Sequence, residues 1–402
     1  MFINTLNLFK NKNLINILLV IYVYMPFIKN ILEDTIGVSF IIGYIITIFL
    51  SILVILDNFV ISRKVKYFFA FFSIVMMINA SLVDYYKYVF VEGIQALISI
   101  GVAIIIINSP KFSFNEFIDS WYKFAIKGWL IIIIVLYLFK IDMLHYNVFT
   151  NICIPNICII GYKFLYYSEL NLKSFFIFLF NILIATLFAG RMSAFISNLI
   201  LFLVIFLSKQ IPKYVKKIYI SILILIFLLM VTIFVEKELF YLFQSLFEHF
   251  GISSRNINLI INYFETGDIH LTNRDILFSL CYEKIKQQAW FPNGFGVILK
   301  LTDGKIYYAH NVFLQLLLQF GIGGCIILIY VFFCRIKYIK LYYDFHVIHF
   351  LKYIGGIYFI ISLTGSSLWI HYLSTIFIAI IFFGNETVYK NEGNNKQIQQ
   401  FV

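Results

Sequence analysis

Charged residues are scarce in this chain of 402 residues, where they make up 13% of the sequence against about 25% in an ordinary soluble domain. Hydrophobic residues reach 62% and aromatic residues 20%, which excludes an intrinsically disordered chain. Proline and cysteine are also rare, at five residues each, so a collagen-like sequence and a secreted disulfide scaffold are excluded as well. The remaining class is a polytopic membrane protein.

Sequence motifs of the common enzyme classes are absent too. The chain has no Walker A or GxGxxG phosphate-binding loop, no HExxH metal motif and no serine nucleophile elbow. The spacing of the cysteines matches no zinc motif. We also find no internal repeat of the kind that secondary transporters show. Any chemistry must therefore come from individual polar residues.

Apolar runs of about 20 residues, the length needed to cross a bilayer, recur along almost the whole chain. They predict an all-α polytopic membrane protein with about twelve transmembrane helices. The first run has no small-residue cleavage site after it, so we expect a retained span rather than a removable signal. The sixth run is the weakest because it contains Pro155. The predicted spans are 14–31, 35–56, 65–83, 88–108, 121–139, 148–166, 174–190, 192–208, 217–235, 310–334, 350–365 and 368–384.

Lysine and arginine are distributed unevenly between the two sides that these spans define. The short loops of one side carry only Lys29, Lys87, Lys140 and Arg191, whereas most other cations fall on the opposite side. The positive-inside rule therefore predicts that both termini are cytoplasmic, and the net charge of +11 does not indicate a nucleic acid partner. The predicted organisation is a membrane domain at 1–235, an extracytoplasmic loop at 236–309, a second membrane part at 310–384 and a cytoplasmic tail at 385–402.

The long outer loop combines amphipathic segments with one tight turn. Its first part, LFYLFQSLFEHF, has an apolar stripe at helical spacing and is predicted to lie in the headgroup layer. A second helix is predicted to start after Asn273 as the N-cap and to run through RDILFSLCYEKIKQQ. Pro292, Gly294 and Gly296 then predict a turn back to the membrane. The residues expected to be buried on the second helix are Ile276, Leu277, Leu280 and Ile285.

Three arginines on the predicted outer side are candidates for binding an anion. Arg191, in the short hairpin AGRMSAF, presents paired planar donors that suit a phosphate. Arg274 falls in the predicted first turn of the loop helix, where backbone N–H groups also favour an anion, and Arg255 is a weaker candidate of the same kind. The alternative is that Arg191 snorkels to the headgroups and that the other two lie on solvated helix faces.

His310, Asn311 and Glu92 are the other candidate site residues. His310 and Asn311 open the tenth predicted span, and an imidazole with an ordinary pKa of about 6.5 suits proton transfer from a hydroxyl. The alternative is that these two residues only cap a helix. Glu92 lies within the fourth predicted span, where a carboxylate is costly. It is predicted to orient a sugar or a catalytic group, or else to pair with a neighbouring helix.

Two further groups of ionisable residues are assigned structural roles. Glu265, Asp268 and His270 lie close together in ETGDIH, but their spacing matches no metal motif, so we expect a solvated loop and predict no metal site. His371, in the last predicted span, is expected to be a hydrogen-bonded packing residue.

The ordered set of AGRMSAF, RDILF, PNGFG and AHNVFLQLLLQFGIGG, found within residues 174–334, resembles the superfamily of O-antigen polymerases and O-antigen ligases. The resemblance implies a GT-C-like fold and an inverting glycosyltransferase that needs neither a metal nor a cofactor. Its implied substrate is an undecaprenyl-pyrophosphate-linked oligosaccharide at the outer face of the bacterial inner membrane. By motif, the implied catalytic residues are Arg191, Arg274 and His310, and the predicted substrate-binding set adds Arg255, Asn311 and Glu92.

The resemblance leaves the acceptor open. A polymerase joins the repeat to a second lipid-linked repeat to build O-antigen or capsule, whereas a ligase transfers it to a lipid A-core saccharide. The divergent motifs and the richness in Ile, Phe, Tyr, Lys and Asn favour a polymerase, and the single large outer loop favours a ligase. A flippase or exporter is the alternative from another class. Expected partners are the lipid-linked oligosaccharide, membrane lipids and, for a polymerase, a chain-length regulator.

Overall fold

The computed structural model describes residues 13–37, 41–58, 62–140, 143–167, 171–208, 211, 238–249, 254–266, 274–363 and 371–384, and all regular structure within them is helical. The helices are α1 (Asn13–Val23), α2 (Met25–Ile36), α3 (Ile41–Asn58), α4 (Arg63–Leu82), α5 (Tyr86–Ile107), α6 (Phe114–Lys127), α7 (Trp129–Lys140), α8 (Asn147–Tyr166), α9 (Leu172–Phe188), α10 (Arg191–Leu207), α11 (Glu238–His249), α12 (Arg255–Thr266), α13 (Arg274–Gln287), α14 (Val297–Leu301), α15 (Val312–Tyr342), α16 (Phe345–Ser362) and α17 (Tyr372–Phe383).

These helices confirm an all-α architecture with candidate membrane-spanning segments. Five of them (α4, α5, α8, α15 and α16) are long and apolar enough to cross a bilayer, and two bent pairs, α1 with α2 and α6 with α7, raise the number to seven. Four shorter apolar helices, α3, α9, α10 and α17, also match predicted spans. The ninth predicted span, 217–235, and the predicted tail, 385–402, lie outside the described residues. The count of twelve spans therefore stays a prediction.

Two predicted spans are interrupted. The predicted span 14–31 breaks at Tyr24, just before Met25 and Pro26, and proline cannot donate the helical hydrogen bond at its position. The span predicted at 121–139 instead begins at Phe114 and bends by 47°. The residue between its two helices is Gly128, which lacks the side chain that would limit the bend.

Helix α4 shows the surface expected of a membrane protein. Tyr67, Phe71, Ile74 and Met77 are each more than half exposed. Large contiguous apolar surface of this kind is unfavourable in water and favourable against lipid. The sixth predicted span gives the opposite case, because α8 is continuous through Pro155 and almost wholly buried inside the protein.

The chain divides into two compact units. Unit 1 comprises Met1–Met25, Ile41–Ser120 and Thr272–Val402, and unit 2 comprises Pro26–Phe40 and Trp121–Leu271. The core of unit 1 forms around α5, which packs against α3, α4 and α17. The core of unit 2 forms from α8, α9 and α10, where the Asn156 amide donates a hydrogen bond of 2.9 Å to Asn181 Oδ1.

The outer-loop helices are partly as predicted. Helix α11 matches LFYLFQSLFEHF, and α13 begins at Arg274, although Asn273 lies outside the described residues. The predicted burial on α13 is confirmed at Leu277 and wrong at Ile276, which is 57% exposed, because the helix turns Cys281 into the core beside Leu277. Helix α12 was not predicted. Its buried residues are Ile257 and Ile261, one turn apart.

Candidate functional site

The PNGFG segment in unit 1 docks beside a break in α15. The helix is interrupted at Gly321, which has φ 63° and ψ 177°. Next to this break, the carbonyl of Leu318 accepts a hydrogen bond of 3.1 Å from Asn293 N–H, and the carbonyl of Gln319 accepts one of 2.9 Å from Gly294 N–H. A broken membrane helix needs replacement partners for its backbone groups. Here the turn supplies two of them.

Glu92 holds the same turn to α5. Its side chain is fully buried, and Oε2 accepts a hydrogen bond of 2.5 Å from Gly296 N–H. Oε1 accepts one of 2.6 Å from Gln319 Nε2, so the carboxylate joins α5, the turn and α15. Pairing within the protein is thus the alternative that the structure supports for this residue. A role toward substrate stays a prediction.

The glycines of the turn are required by close contact. Gly294 and Gly296 have φ near +80°, a region that disfavours side chains. A Cβ at Gly296 would lie 2.5 Å from the backbone of Tyr88, and one at Gly294 would lie 1.9 Å from Asn79 Nδ2. Asn79 Oδ1 in turn accepts a hydrogen bond of 3.0 Å from Phe295 N–H. The turn therefore sits directly on α4 and α5.

The segment around His310 is fixed by a small apolar cluster. Leu277 and Cys281 of α13 are buried together with Ala309 and with Leu318 of α15. Because these side chains are buried together, α13 packs against the segment that leads into α15. As a result, the start of α13 and the residue after Ala309 belong to one local structure.

His310 has an unusual backbone and an unpaired nitrogen. Its φ is +53°, and among the described residues only Asp303 is another non-glycine with positive φ. This conformation is strained for a residue with a side chain. Nδ1 of His310 is buried and has no hydrogen-bond partner, while its ring lies 4.4 Å from the ring of Tyr308. Strain and an unsatisfied polar atom together mark a candidate functional residue.

Arg274 and His310 interact electrostatically. Arg274 is the first residue of α13 and is partly exposed. Burial, and after it the positive charge of Arg274, lower the pKa of His310 to about 4. The imidazole is therefore neutral at neutral pH and can accept a proton. Arg274 is therefore close enough to His310 to affect it electrostatically, and the joint action of the two residues on a substrate stays a prediction.

Asn311 caps α15. Its Oδ1 accepts hydrogen bonds of 2.9 Å from Phe313 N–H and 3.2 Å from Leu314 N–H, as an N-cap residue does. The capping alternative is thus present in the structure. Binding of substrate by the same side chain stays a prediction.

The AGRMSAF hairpin belongs to unit 2, where the start of α12 is hydrogen-bonded to it and to the end of α9. Ser254 Oγ donates a hydrogen bond of 2.8 Å to the carbonyl of Leu187. Asn256 Nδ2 donates one of 3.1 Å to the carbonyl of Ala189. These bonds use side chains of the loop to satisfy the carbonyls at the end of α9. The start of α12 is thereby fixed beside the start of α10.

Arg191 and Arg255 consequently lie at the beginnings of two neighbouring helices. Arg191 is the exposed first residue of α10, after Gly190. Arg255 is the first residue of α12, and its guanidinium lies 3.8 Å from the centre of the Tyr146 ring. Stacking on an aromatic ring suits a guanidinium better than an ammonium group. Both arginines thus lie in unit 2, in helices that begin near the end of α9.

A histidine of unit 2, His145, also lies near Arg255. Burial and, more weakly, the positive charge of Arg255 lower the pKa of His145, against the raising effect of Asp34. The backbone N–H of His145 donates a hydrogen bond of 2.8 Å to Asp34 Oδ2. Its Nδ1 accepts a hydrogen bond of 3.5 Å from Asn147 N–H. This histidine is therefore engaged locally, unlike His310.

The predicted site residues thus fall into two groups. The prediction that Arg191 acts with Arg274 and His310 stays a prediction, because Arg191 belongs to unit 2. Sequence reasoning missed Tyr146 and His145, whose only signal was their position next to an outer connection. The members of the first group are Glu92, Arg274, His310 and Asn311 of unit 1, and those of the second are Arg191 and Arg255 of unit 2.

The remaining candidates have structural surroundings. Glu265 Oε1 accepts a hydrogen bond of 2.7 Å from Tyr241 Oη, while Asp268 and His270 lie outside the described residues. In the described ranges, no group of three or more His, Cys, Asp or Glu side chains is arranged to hold a metal ion. All five cysteines are free thiols, in line with the absence of a disulfide framework.

Comparisons with known proteins add no assignment. No family model matches the chain, and no curated protein or solved structure matches it either.

Proposed function

We propose that this protein is a polysaccharide polymerase that joins undecaprenyl-pyrophosphate-linked oligosaccharides on the outer face of the bacterial inner membrane. The observation that supports this most is the partly buried, neutral imidazole of His310 beside the guanidinium of Arg274. A base and a fixed cation are the two groups that glycosyl transfer from a lipid diphosphate needs. The order of the sequence motifs supports the substrate class by resemblance.

The proposed reaction is a single inverting displacement. The hydroxyl oxygen of the acceptor sugar bonds to the anomeric carbon while the bond from that carbon to the diphosphate oxygen breaks. The bonding electrons leave with the diphosphate, whose growing negative charge Arg274 stabilises. The hydroxyl proton passes to His310. Arg191 and Arg255 are proposed as further cations for the diphosphate, and no metal is required.

Binding of the donor would also strengthen the base. In the free protein, burial and the Arg274 charge hold the pKa of His310 near 4. A diphosphate bound by Arg274 would offset that charge and so raise the pKa of His310 toward neutrality. His310 would then be neutral before binding and a better proton acceptor after it. This coupling limits proton uptake to the loaded site.

Transport of a lipid-linked glycan is a second candidate, favoured by polar atoms inside unit 1. Buried side-chain atoms without hydrogen-bond partners include Gln95 Oε1, Gln315 Oε1 and His371 Nδ1. Unsatisfied polar groups inside a membrane bundle are typical of a substrate path. Because these groups are neutral, they suit sugars better than a diphosphate.

A deletion strain separates the candidates. Loss of a polymerase should leave single repeats on the lipid core, whereas loss of a ligase should leave repeats of normal length on undecaprenyl pyrophosphate. Loss of a flippase should leave lipid-linked repeats on the cytoplasmic leaflet.

The direct test is to incubate the purified protein in vesicles with the lipid-linked repeat, in the presence of EDTA. A ladder of longer products supports the proposal, and its absence with active substrate contradicts it.

A further inference from the structure

Unit 1 contains a long apolar groove that is lined by neither Arg274 nor His310. Helices α15, α16 and α17 line a cavity of about 620 Å³, within the usual range of ligand pockets. On α16, its wall follows Ile348, Lys352, Gly356 and Phe359, which recur every three or four residues and so form one stripe of the helix. The groove therefore runs along the helices rather than across them.

Two glycines keep this wall open. Gly355 and Gly356 lie inside α16, although glycine is the least favourable ordinary residue in a helix apart from proline. A Cβ at Gly356 would meet no atom within 4 Å, whereas one at Gly355 would come within 2.6 Å of Phe377. The space beside Gly356 can therefore accommodate part of another molecule.

Positive charge lies at one end of the groove only. Among the described residues that line it, the charged ones are Lys340 near the end of α15 and Lys352 in the first half of α16. Both side chains are exposed. Arg335, on the same part of α15, is instead bound to the carbonyl of Ile381 by hydrogen bonds of 3.0 and 2.8 Å. The two lysines are thus the cations placed to meet a ligand there.

The opposite end of the groove is apolar. It is lined by Val312, Phe313 and Phe359, and the rings of the two phenylalanines lie 5.9 Å apart. A lipid whose diphosphate is held by Arg274 and His310 would place its charge at this end. The charge distribution of the groove instead favours a lipid with its headgroup at the lysines.

We propose that this groove binds an anionic phospholipid, with its acyl chain along the apolar wall and its phosphate between Lys340 and Lys352. The predicted orientation places these lysines at the cytoplasmic leaflet, whose anionic lipids attract basic residues near the surface. Lysine can hold its ammonium at the headgroups while its stem covers apolar surface. This site is independent of the proposed glycosyl transfer.

The test is native mass spectrometry of the purified full chain, titrated with dioleoyl phosphatidylglycerol and, separately, with dioleoyl phosphatidylcholine. The wild type should retain one phosphatidylglycerol more tightly. Each of Lys340→Ala and Lys352→Ala should weaken it about 5-fold. Gly356→Leu should also weaken it, because the new side chain enters the groove from a position where a Cβ meets no atom within 4 Å. Lys337→Ala is the matched control, since Lys337 is exposed on α15 but does not line the groove.

Three results would overturn the proposal. Equal binding of the two phospholipids would remove the charge argument, and an equal loss with Lys337→Ala would show a general effect of positive charge. A third titration uses undecaprenyl phosphate. If Gly356→Leu weakens binding of that lipid while the Lys340 and Lys352 variants change nothing, the groove holds the isoprenoid tail instead. Thermal unfolding of each variant shows that the fold is retained.

Discussion

Two regions of the molecule place arginine at the start of a helix beside a histidine, yet their surroundings differ. In unit 1, Arg274 begins α13 and lowers the pKa of His310, whose Nδ1 has no hydrogen-bond partner. In unit 2, Arg255 begins α12 and lies on the Tyr146 ring. The adjacent His145 accepts a hydrogen bond at Nδ1. The same residue types therefore leave an imidazole nitrogen without a hydrogen-bond partner in one unit and a hydrogen-bonded one in the other.

The difference shows that a candidate base is distinguished by a ring nitrogen without a hydrogen-bond partner, rather than by its residue type. His310 combines that capacity with a strained backbone, which must be stabilised by its surroundings. The docked PNGFG turn and the cluster around Leu277 provide such support. We therefore expect substitutions in unit 1 to lower activity in ways that the matched substitutions in unit 2 do not.

The largest effect is expected for the two histidines. His310→Ala should lower chain extension by about 10²–10⁴-fold, because the proposed base is lost. His145→Ala should leave it within a few-fold of wild type. The measurement is the glycan ladder formed in vesicles at equal amounts of membrane protein. Equal losses in both variants would break the comparison and remove the special role of His310.

The second effect concerns the arginines and pH. Arg274→Gln should lower kcat/KM by about 10²-fold and, because the Arg274 charge lowers the pKa of His310, should raise that pKa. The base must be neutral to act, so activity should fall at a higher pH in this variant than in wild type as the solution is acidified. Arg255→Gln should leave the acidic limb of the profile in place. If activity falls at the same acidic pH in Arg274→Gln and in wild type, the assignment of His310 as the base influenced by Arg274 is contradicted.

A third comparison concerns the support of the site. Gly296 and Gly304 share φ +79°, but a Cβ would lie 2.5 Å from the Tyr88 backbone at Gly296 and 3.5 Å from the Tyr88 side chain at Gly304. Gly304→Ala should cost about 1–2 kcal/mol of unfolding free energy from backbone strain. Gly296→Ala should cost about 1–3 kcal/mol more, from the added clash. Thermal unfolding in detergent measures the difference, and equal stability would show that the turn is not seated on α5.

The smallest effect is expected at Asn311. Asn311→Ala should lower stability by about 1 kcal/mol through loss of the helix cap, whereas Asn311→Ser should retain most of it. Unfolding midpoints and chain extension are measured together. If Asn311→Ser restores stability and activity alike, the residue is a cap. Restored stability with low activity would instead favour the predicted role in binding substrate.

Hydrophobic run length predicted most of the helices but not their interruptions. A run of about 20 apolar residues specifies a membrane helix whatever its neighbours are. The breaks at Tyr24 and Gly128 follow from a proline and a glycine, and the break at Gly321 is stabilised by hydrogen bonds from the outer segment, none of which a run length contains. Helix α12 was missed for a related reason, since side-chain hydrogen bonds from its first turn to the end of α9 fix its position.

The candidate site was predictable in its residue types and less so in their arrangement. Arg274 was predicted from its place in the first turn of the loop helix, and His310 from its place at the start of an apolar run. The bond from Glu92 to Gly296 could not be predicted, because the two residues are 204 positions apart. Ile276 was placed on the wrong face because several rotations of α13 bury a similar apolar area, and packing against Ala309 and Leu318 selects the one that buries Leu277 and Cys281.

The break at Gly321 links the folding of the outer segment to that of the helix. Until Asn293 and Gly294 reach the carbonyls of Leu318 and Gln319, a kinked α15 would leave backbone groups exposed to lipid. Before the loop docks, α15 satisfies most of its backbone hydrogen bonds as a straight helix. The kink becomes favourable only after the loop has docked. Amide hydrogen exchange at Gly294 should therefore be among the slowest in the outer segment, reporting on opening of the entire assembly rather than on local loop motion.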